Sequence, residues 1–326
     1  MENITTFSQK LNNQMQSSPE KKKKTFSRQS KRLIFYIGLI SLPLFFFCLF
    51  YVYVNFNSFV LAFQKYENGE SGYVISFAGF DNFKRAWETL TTETYLLKNS
   101  LILYACNLCI GLFLSIIFSY YIYKKFFLSG AFRVVLFLPS IISSLVLATL
   151  FRYVANQAYP AVVLSLTGET VKGLISNLDT RFVTIIFYNI WISFGVHTLM
   201  FSNAMGGINE SIVEAVQLDG ANIVQEFVYI TVPMIFPTIT SFLVAGLAQM
   251  FMNQMDLYAF FTLDAGNMST VGYFLFVQTK RSNLVGVDNC LSYPQLSALG
   301  LILTCFITPM VLTVKYLLEK YGPSAE

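Results

Sequence analysis

Residues 209–237 read NESIVEAVQLDGANIVQEFVYITVPMIFP, a stretch with the texture of a water-facing element set in an otherwise apolar chain. Ile212, Ala215 and Val216, and past a break Ile223, Val224, Phe227 and Ile230, recur at helical spacing. Asp219-Gly220 interrupts the pattern, and a glycine there allows the positive φ that closes a helix. Pro233 and Pro237 mark where the chain bends into the next apolar run. The segment therefore reads as a short helix, a tight turn, a second helix and re-entry into lipid.

Working outward, six stretches are long enough to cross a hydrocarbon core, which takes about 20 residues at 1.5 Å each. They are Leu33 to Val54, Asn99 to Tyr123, Val134 to Phe151, Phe182 to about Asn203, about Met234 to Met255, and about Asn289 to Val314. None contains Lys, Arg, Asp or Glu. That absence matters because a charge at the bilayer centre costs about 2.5–3.5 kcal/mol on insertion scales. The predicted fold class is all-α: a polytopic membrane protein with six transmembrane helices and one helix outside the membrane. Composition agrees, since 55% of residues are hydrophobic and 12% charged, against about 25% charged in an average soluble domain.

Lys and Arg set the predicted orientation. The arm before the first span (Lys10, Lys21 to Lys24, Arg28, Lys31, Arg32), the Lys124, Lys125, Arg133 turn and Lys315 with Lys320 fall on one side, which the positive-inside rule makes cytoplasmic. Both termini are then cytoplasmic. Residues 204–233 share that side by parity, yet they carry Glu210, Glu214, Asp219 and Glu226 and no Lys or Arg. An acidic loop in a place that favours basic ones points to a protein partner. The basic arm lacks interleaved aromatics and abuts an apolar run, so a nucleic-acid partner is not expected. The first apolar stretch exceeds a signal peptide's h-region and has no small-x-small site, so it reads as a retained helix. Cys106 and Cys109, among lipid-facing neighbours, read as packing residues rather than a redox or zinc pair.

Glu214-Ala215-Val216-Gln217-Leu218-Asp219-Gly220-Ala221, followed by Phe227, Ile230, Val232-Pro233 and Pro237, resembles the EAA loop of binding-protein-dependent ABC importer permeases, whose pattern is E-A-A-x3-G and then I-x-L-P. Val216 and Val232 are the departures. Phe77-Ala78-Gly79-Phe80-Asp81-Asn82-Phe83 is similar to the G-x-D-N-F stretch of the carbohydrate branch, the maltose-type and glycerol-phosphate-type first permeases. Phe137-Leu138-Pro139 and Thr262-Leu263-Asp264-Ala265-Gly266 look like further landmarks, the last diverging from the usual Thr-x-Gly-Gly-Pro. The likeness covers roughly residues 33–317.

This resemblance implies a type I importer permease in a bacterial inner (plasma) membrane. Residues 1–32 would be a basic cytoplasmic tail, 33–54 the first span, 55–98 an external loop, and 99–317 the permease core with a coupling loop at 204–233; 318–326 would be a second tail. It implies that Glu214, Ala215, Asp219, Gly220, Ala221 and Pro233 form the coupling element that docks on an ATPase subunit. The implied partners are a second permease, two ATPase subunits and an extracellular solute-binding protein. A carbohydrate, an oligosaccharide more than glycerol phosphate, is the implied solute, because the spans offer amides and an indole but no Arg to grip phosphate. A secondary transporter, the competing class, would show intramembrane charges or an inverted repeat, and the spans show neither.

Polar groups inside the spans are costly unless they face a partner or water, so they mark a path for a polar solute. Ser140, Ser143 and Ser144 fall in the third span, Asn189, Trp191 and Ser193 in the fourth, and Gln249, Asn253 and Gln254 in the fifth. By the same resemblance, Ser140, Ser144, Ser193, Gln249 and Asn253 line the substrate path with Trp191 beside them. His197, the single histidine, reads as a helix contact, and Asp256 as solvated at the external face. No Walker loop, H-E-x-x-H or Ser-His-Asp grouping is present. Catalysis is therefore not expected in this chain, nor a cofactor; ATP and Mg would be bound by the partner ATPase.

Overall fold

The computed structural model describes residues 28–69, 72–281 and 291–323. It divides into two units, residues 1–57 and 58–326. In the first, the helix that begins at Arg28 leaves its apolar side chains exposed all round: Leu33, Phe35, Phe45 and Phe50 are each about 60% accessible or more. A helix apolar on every face has lipid as its natural surroundings. The basic residues before Arg28 lie outside the described residues.

Among the described residues, four helices are long and apolar enough to cross a membrane unbroken: Arg32–Leu61, Thr94–Tyr123, Leu178–Gly206 and Tyr293–Tyr321. Two bent pairs make up the other spans, Ser129–Ile141 with Ser144–Thr167 and Ile223–Met234 with Phe236–Gln249. Spans are numbered one to six in chain order.

The third span is not the straight helix expected over 134–151. It turns through 103° at Ile142-Ser143, where both residues are extended. Pro139 lies inside the helix before the break and has no N–H to offer Val135 O, which weakens that last turn. The Ser140 hydroxyl donates to Phe137 O at 2.7 Å within the same helix.

The fifth span bends through 63° at Ile235, between Pro233 and Pro237. Its helix ends at Gln249 rather than Met255. Met255 and Asp256 then adopt left-handed backbone, which no helix can continue through. Asp256 is half-buried rather than solvated. The sixth span extends to Tyr321, so Lys315 and Lys320 stand on a helix and not in a tail. Asn289, expected near its start, lies outside the described residues.

The segment after span one adds a small antiparallel hairpin to the helical fold, β1 (Gln64–Gly69) and β2 (Gly72–Phe77). Helix Asp81–Thr92 follows. Buried Asn82 donates to Ala62 O at 2.9 Å and Gln64 O at 2.8 Å, and Phe83 lies 5.0 Å from Phe63. This gives the Asp81-Asn82-Phe83 landmark its physical meaning: the amide fastens the helix to the start of the hairpin, and the ring packs the joint.

Three apolar clusters hold the second unit. Two contain Leu257, Phe260 and Tyr273 or Leu90, Leu299 and Val271; the third, at the other end of the bundle, gathers Ile116, Tyr120, Phe201, Met205 and Ile235. Spans three and four meet where Gly195 presses against the chain at Leu136. A Cβ on residue 195 would stand 2.0 Å from Leu136 O and 3.3 Å from Phe137 Cα. Small residues bring membrane helices this close.

Candidate functional site

Two places in the fold carry the expected residues: the elbow before span five and a cavity midway along the bundle.

The elbow begins with helix Glu210–Leu218, capped by Asn209, whose Oδ1 accepts from Ser211 N at 3.1 Å. Its end is a Schellman turn: Ala221 N–H donates to Val216 O at 3.2 Å and Gly220 N–H to Gln217 O at 3.1 Å. Gly220 takes φ +80°, and nothing lies within 4 Å of where its Cβ would be. The glycine is therefore required by backbone conformation alone. Asn222 and Gln225 form a capping box at 2.8 Å in both directions, which starts the next helix at Ile223.

Glu214, Ala215, Asp219 and Gly220 are all exposed, with Ala221 and Pro233 half-buried. Around them Leu218 is 88% exposed, Tyr229 73% and Val224 68%. Exposed apolar and acidic groups side by side, on a helix held rigidly at both ends, have the composition of a docking surface. Glu226 does not join it. Only 3% exposed, it forms an ion pair with Lys124 at the end of span two. The loop without basic residues of its own takes one from a neighbouring helix.

The cavity, about 290 Å³, is lined from span two by Tyr104, Asn107, Leu108 and Leu112, and from span four by Ser193 and His197. Phe242, Gly246, Gln249 and Asn253 are among those that line it from span five and the turn beyond. It is close to the small end of ligand pockets, about 300–1,000 Å³.

Of the residues expected along a solute path, the structure brings Ser193, Gln249 and Asn253 together here. Ser140, Ser144 and Trp191 do not line it. Ser140 bonds its own helix, Ser144 opens the helix past the break, and Trp191 packs near Phe151 and Tyr188 at 6.2 and 6.4 Å. Asn189 is occupied elsewhere, donating to Ile185 O at 2.9 Å and Met255 O at 3.1 Å.

Tyr104 and Asn107 went unrecognised in the sequence, and His197 was read only as a helix contact. Asn107 opens a π-helical segment, Asn107–Leu112. The wider turn is one way a helix re-aims side chains at a functional site, and Asn107, Leu108 and Leu112 all line the cavity. Asn107 Oδ1 accepts from Ser193 Oγ at 3.2 Å, while that hydroxyl is also 3.1 Å from Ile190 O. His197 lies edge-on to Phe242 at 5.1 Å, with no hydrogen-bond partner for Nδ1 among the described residues. The signal in the sequence is an amide, Asn107, within a charge-free span.

Asn253 sits on the turn after span five. Its Oδ1 accepts from Met255 N at 2.9 Å, and Thr270 Oγ1 donates to its carbonyl at 3.4 Å. Gly272 supports it from behind, since a Cβ there would fall 2.6 Å from Asn253 O. Asn253 thus presents its amide from a braced turn. Asn253→Ala removes the acceptor of the Met255 N–H bond and is expected to cost about 1 kcal/mol of stability, which thermal melting of the purified variant checks.

An apolar bundle with an exposed, rigidly capped elbow and a cavity that sets a few polar groups in an apolar wall is the architecture of a transporter subunit. Residues 109–323 match the family described as binding-protein-dependent transport system inner membrane component, and the chain belongs to that family. It is an integral membrane protein and a transporter component rather than an enzyme. It is 25% identical over 305 residues to the arabinooligosaccharides transport system permease protein of Halalkalibacterium halodurans, covering 88% of each chain. It is also 25% identical to the multiple sugar-binding transport system permease protein of Streptococcus mutans, over 77% of this chain and 87% of that one. A chain of a bacterial ABC transporter for the acidic polysaccharide alginate, also solved with an alginate pentasaccharide-bound periplasmic protein, superposes with a TM-score of 0.69 at 19% identity. The match covers 89% of this chain and 96% of the other. The fold is that of a type I ABC importer permease.

Proposed function

We propose that this chain is one of two permease subunits of an ATP-driven importer for an oligosaccharide, supplying half of the translocation path and receiving force from a separate ATPase. The observation that carries this reading is the elbow at 209–234, a capped helix with its acidic and apolar faces bare, joined through a knee to a cavity-lining span. Glu214, Ala215, Asp219, Gly220 and Ala221 form the docking face for the ATPase, and Pro233 sets the bend behind it. ATP and Mg belong to that partner. Both termini, the arm at 1–32 and the end at 318–326, lie in the cytoplasm with the elbow, and a solute-binding protein meets the opposite face of the cell membrane.

A neutral polyhydroxylated solute suits the cavity: amide, hydroxyl, imidazole and phenol groups line it beside Phe242, and no Lys or Arg is among its described lining residues. The relatives' names, arabinooligosaccharides and multiple sugars, support the same class. Ser193, Gln249 and Asn253 would contact it within the subunit.

The test is reconstitution in vesicles with the partner permease, ATPase and binding protein, with uptake measured against a panel of oligosaccharides. Uptake that needs every component and ATP is expected. Transport by the permease alone, without nucleotide, would overturn the reading.

A further inference from the structure

Span two ends at Tyr123, and the next residue, Lys124, reaches across to the elbow. Its ammonium pairs with Glu226 and lies 5.7 Å and 5.8 Å from the ring centroids of Tyr120 and Tyr123. Tyr120 stands 4.8 Å from Phe227 and donates its hydroxyl hydrogen to Ile223 O at 3.2 Å. The carboxylate's side chain is 4% exposed and the ammonium's 16%. An ion pair this far from water is held by geometry, and it forces its two helices to move together or to part with a charge uncompensated. A cation after the last turn of span two would favour that helix end by itself. What helix-end electrostatics leaves unexplained is a buried acid on the facing elbow and two aromatic rings around the ammonium.

We propose that Lys124 and Glu226 are positioning residues of the transport cycle: a joint that delivers displacement of the elbow to span two as well as, along the chain, to span five. Span two carries Tyr104, Asn107, Leu108 and Leu112 into the cavity, so the joint lets one push move two walls of the same chamber. The inference rests on the coupling role given to the elbow above.

The experiment uses the full importer in vesicles and reads ATP hydrolysed per solute imported. Glu226→Gln and Lys124→Met each are expected to raise that ratio about tenfold, the scale of a typical coupling free energy, with the complex assembled. The double variant Glu226→Gln with Lys124→Met removes the orphaned charge and is expected to regain wild-type thermal stability while staying uncoupled. If it regains coupling as well, the pair is only packing and the proposal fails; a normal ratio in Glu226→Gln alone also overturns it.

Should the double variant not assemble, hydrogen exchange on the wild-type complex decides. Amides of residues 223–229 and of 119–124 must change protection together between nucleotide-free and nucleotide-bound states, and independent changes refute the joint. Gly220→Leu separates this from the underlying reading. If Gly220→Leu uncouples and Glu226→Gln does not, the joint fails while the elbow keeps its role; if Gly220→Leu imports normally, the elbow's role itself is lost.

Discussion

Gly195→Ala is expected to abolish accumulation of folded permease, although it adds a single methyl group. The methyl would run into the Leu136 carbonyl oxygen, far inside van der Waals contact, with the Leu136 carbonyl carbon at 2.8 Å. Both obstacles are backbone, so relief requires spans three and four to separate along their contact. Overpacking in a well-filled interior typically costs about 1–3 kcal/mol and occasionally more, and a clash of backbone with backbone belongs at the upper end. Gly206→Ala supplies the control on the same helix: nothing lies within 4 Å of its added Cβ. It is expected to be neutral, or stabilising by up to about 1 kcal/mol. Thermal melting and membrane yield of the two purified variants, side by side, test the contrast.

Gly220→Leu is expected to act differently, leaving the fold intact and removing function. The site has room on every side, so no clash arises; the strain is confined to a φ of +80°. A left-handed L-residue costs about 1–2 kcal/mol, enough to reopen the Schellman turn and let the helix Glu210–Leu218 swing relative to span five. Uptake by the assembled importer should fall at least about tenfold while ATP is still hydrolysed. Glu214→Lys should give the same phenotype by another route, placing a cation where the proposed docking face carries an exposed carboxylate. Wild-type uptake by both variants would remove the coupling role from this helix.

The elbow was legible because its physics is local. Helical spacing, a glycine at a helix end and prolines at the re-entry are properties of neighbours in sequence, and Gly220 and Pro233 stand in the structure as that spacing implies. The spans were legible for the same reason, since a run without charge declares its solvent. What could not be read was anything set by approach between distant segments. Ser140 and Ser144 looked equivalent to Ser193 as polar residues in an apolar run, but the third helix breaks at Ile142-Ser143 between them, and only Ser193 looks into the cavity. Asn253 was expected within a helix, and instead sits on a turn that Thr270 and Gly272 brace from eighteen or so residues further along the chain. The partnership of Glu226 with Lys124 spans a hundred residues, and its only trace in the sequence was an acidic loop where basic residues were due.

The knee at Ile235 divides span five into an arm that belongs to the elbow and an arm that belongs to the chamber. The latter, Phe236–Gln249, has 14 residues and so measures about 21 Å at 1.5 Å per residue. Pivoting it by about 10° would sweep its tip through about 4 Å, more than the width of a water molecule. Gln249 is that tip. A tilt too slight to disturb the packing near the fulcrum is thus magnified, by lever length alone, into a change in what the doorway admits.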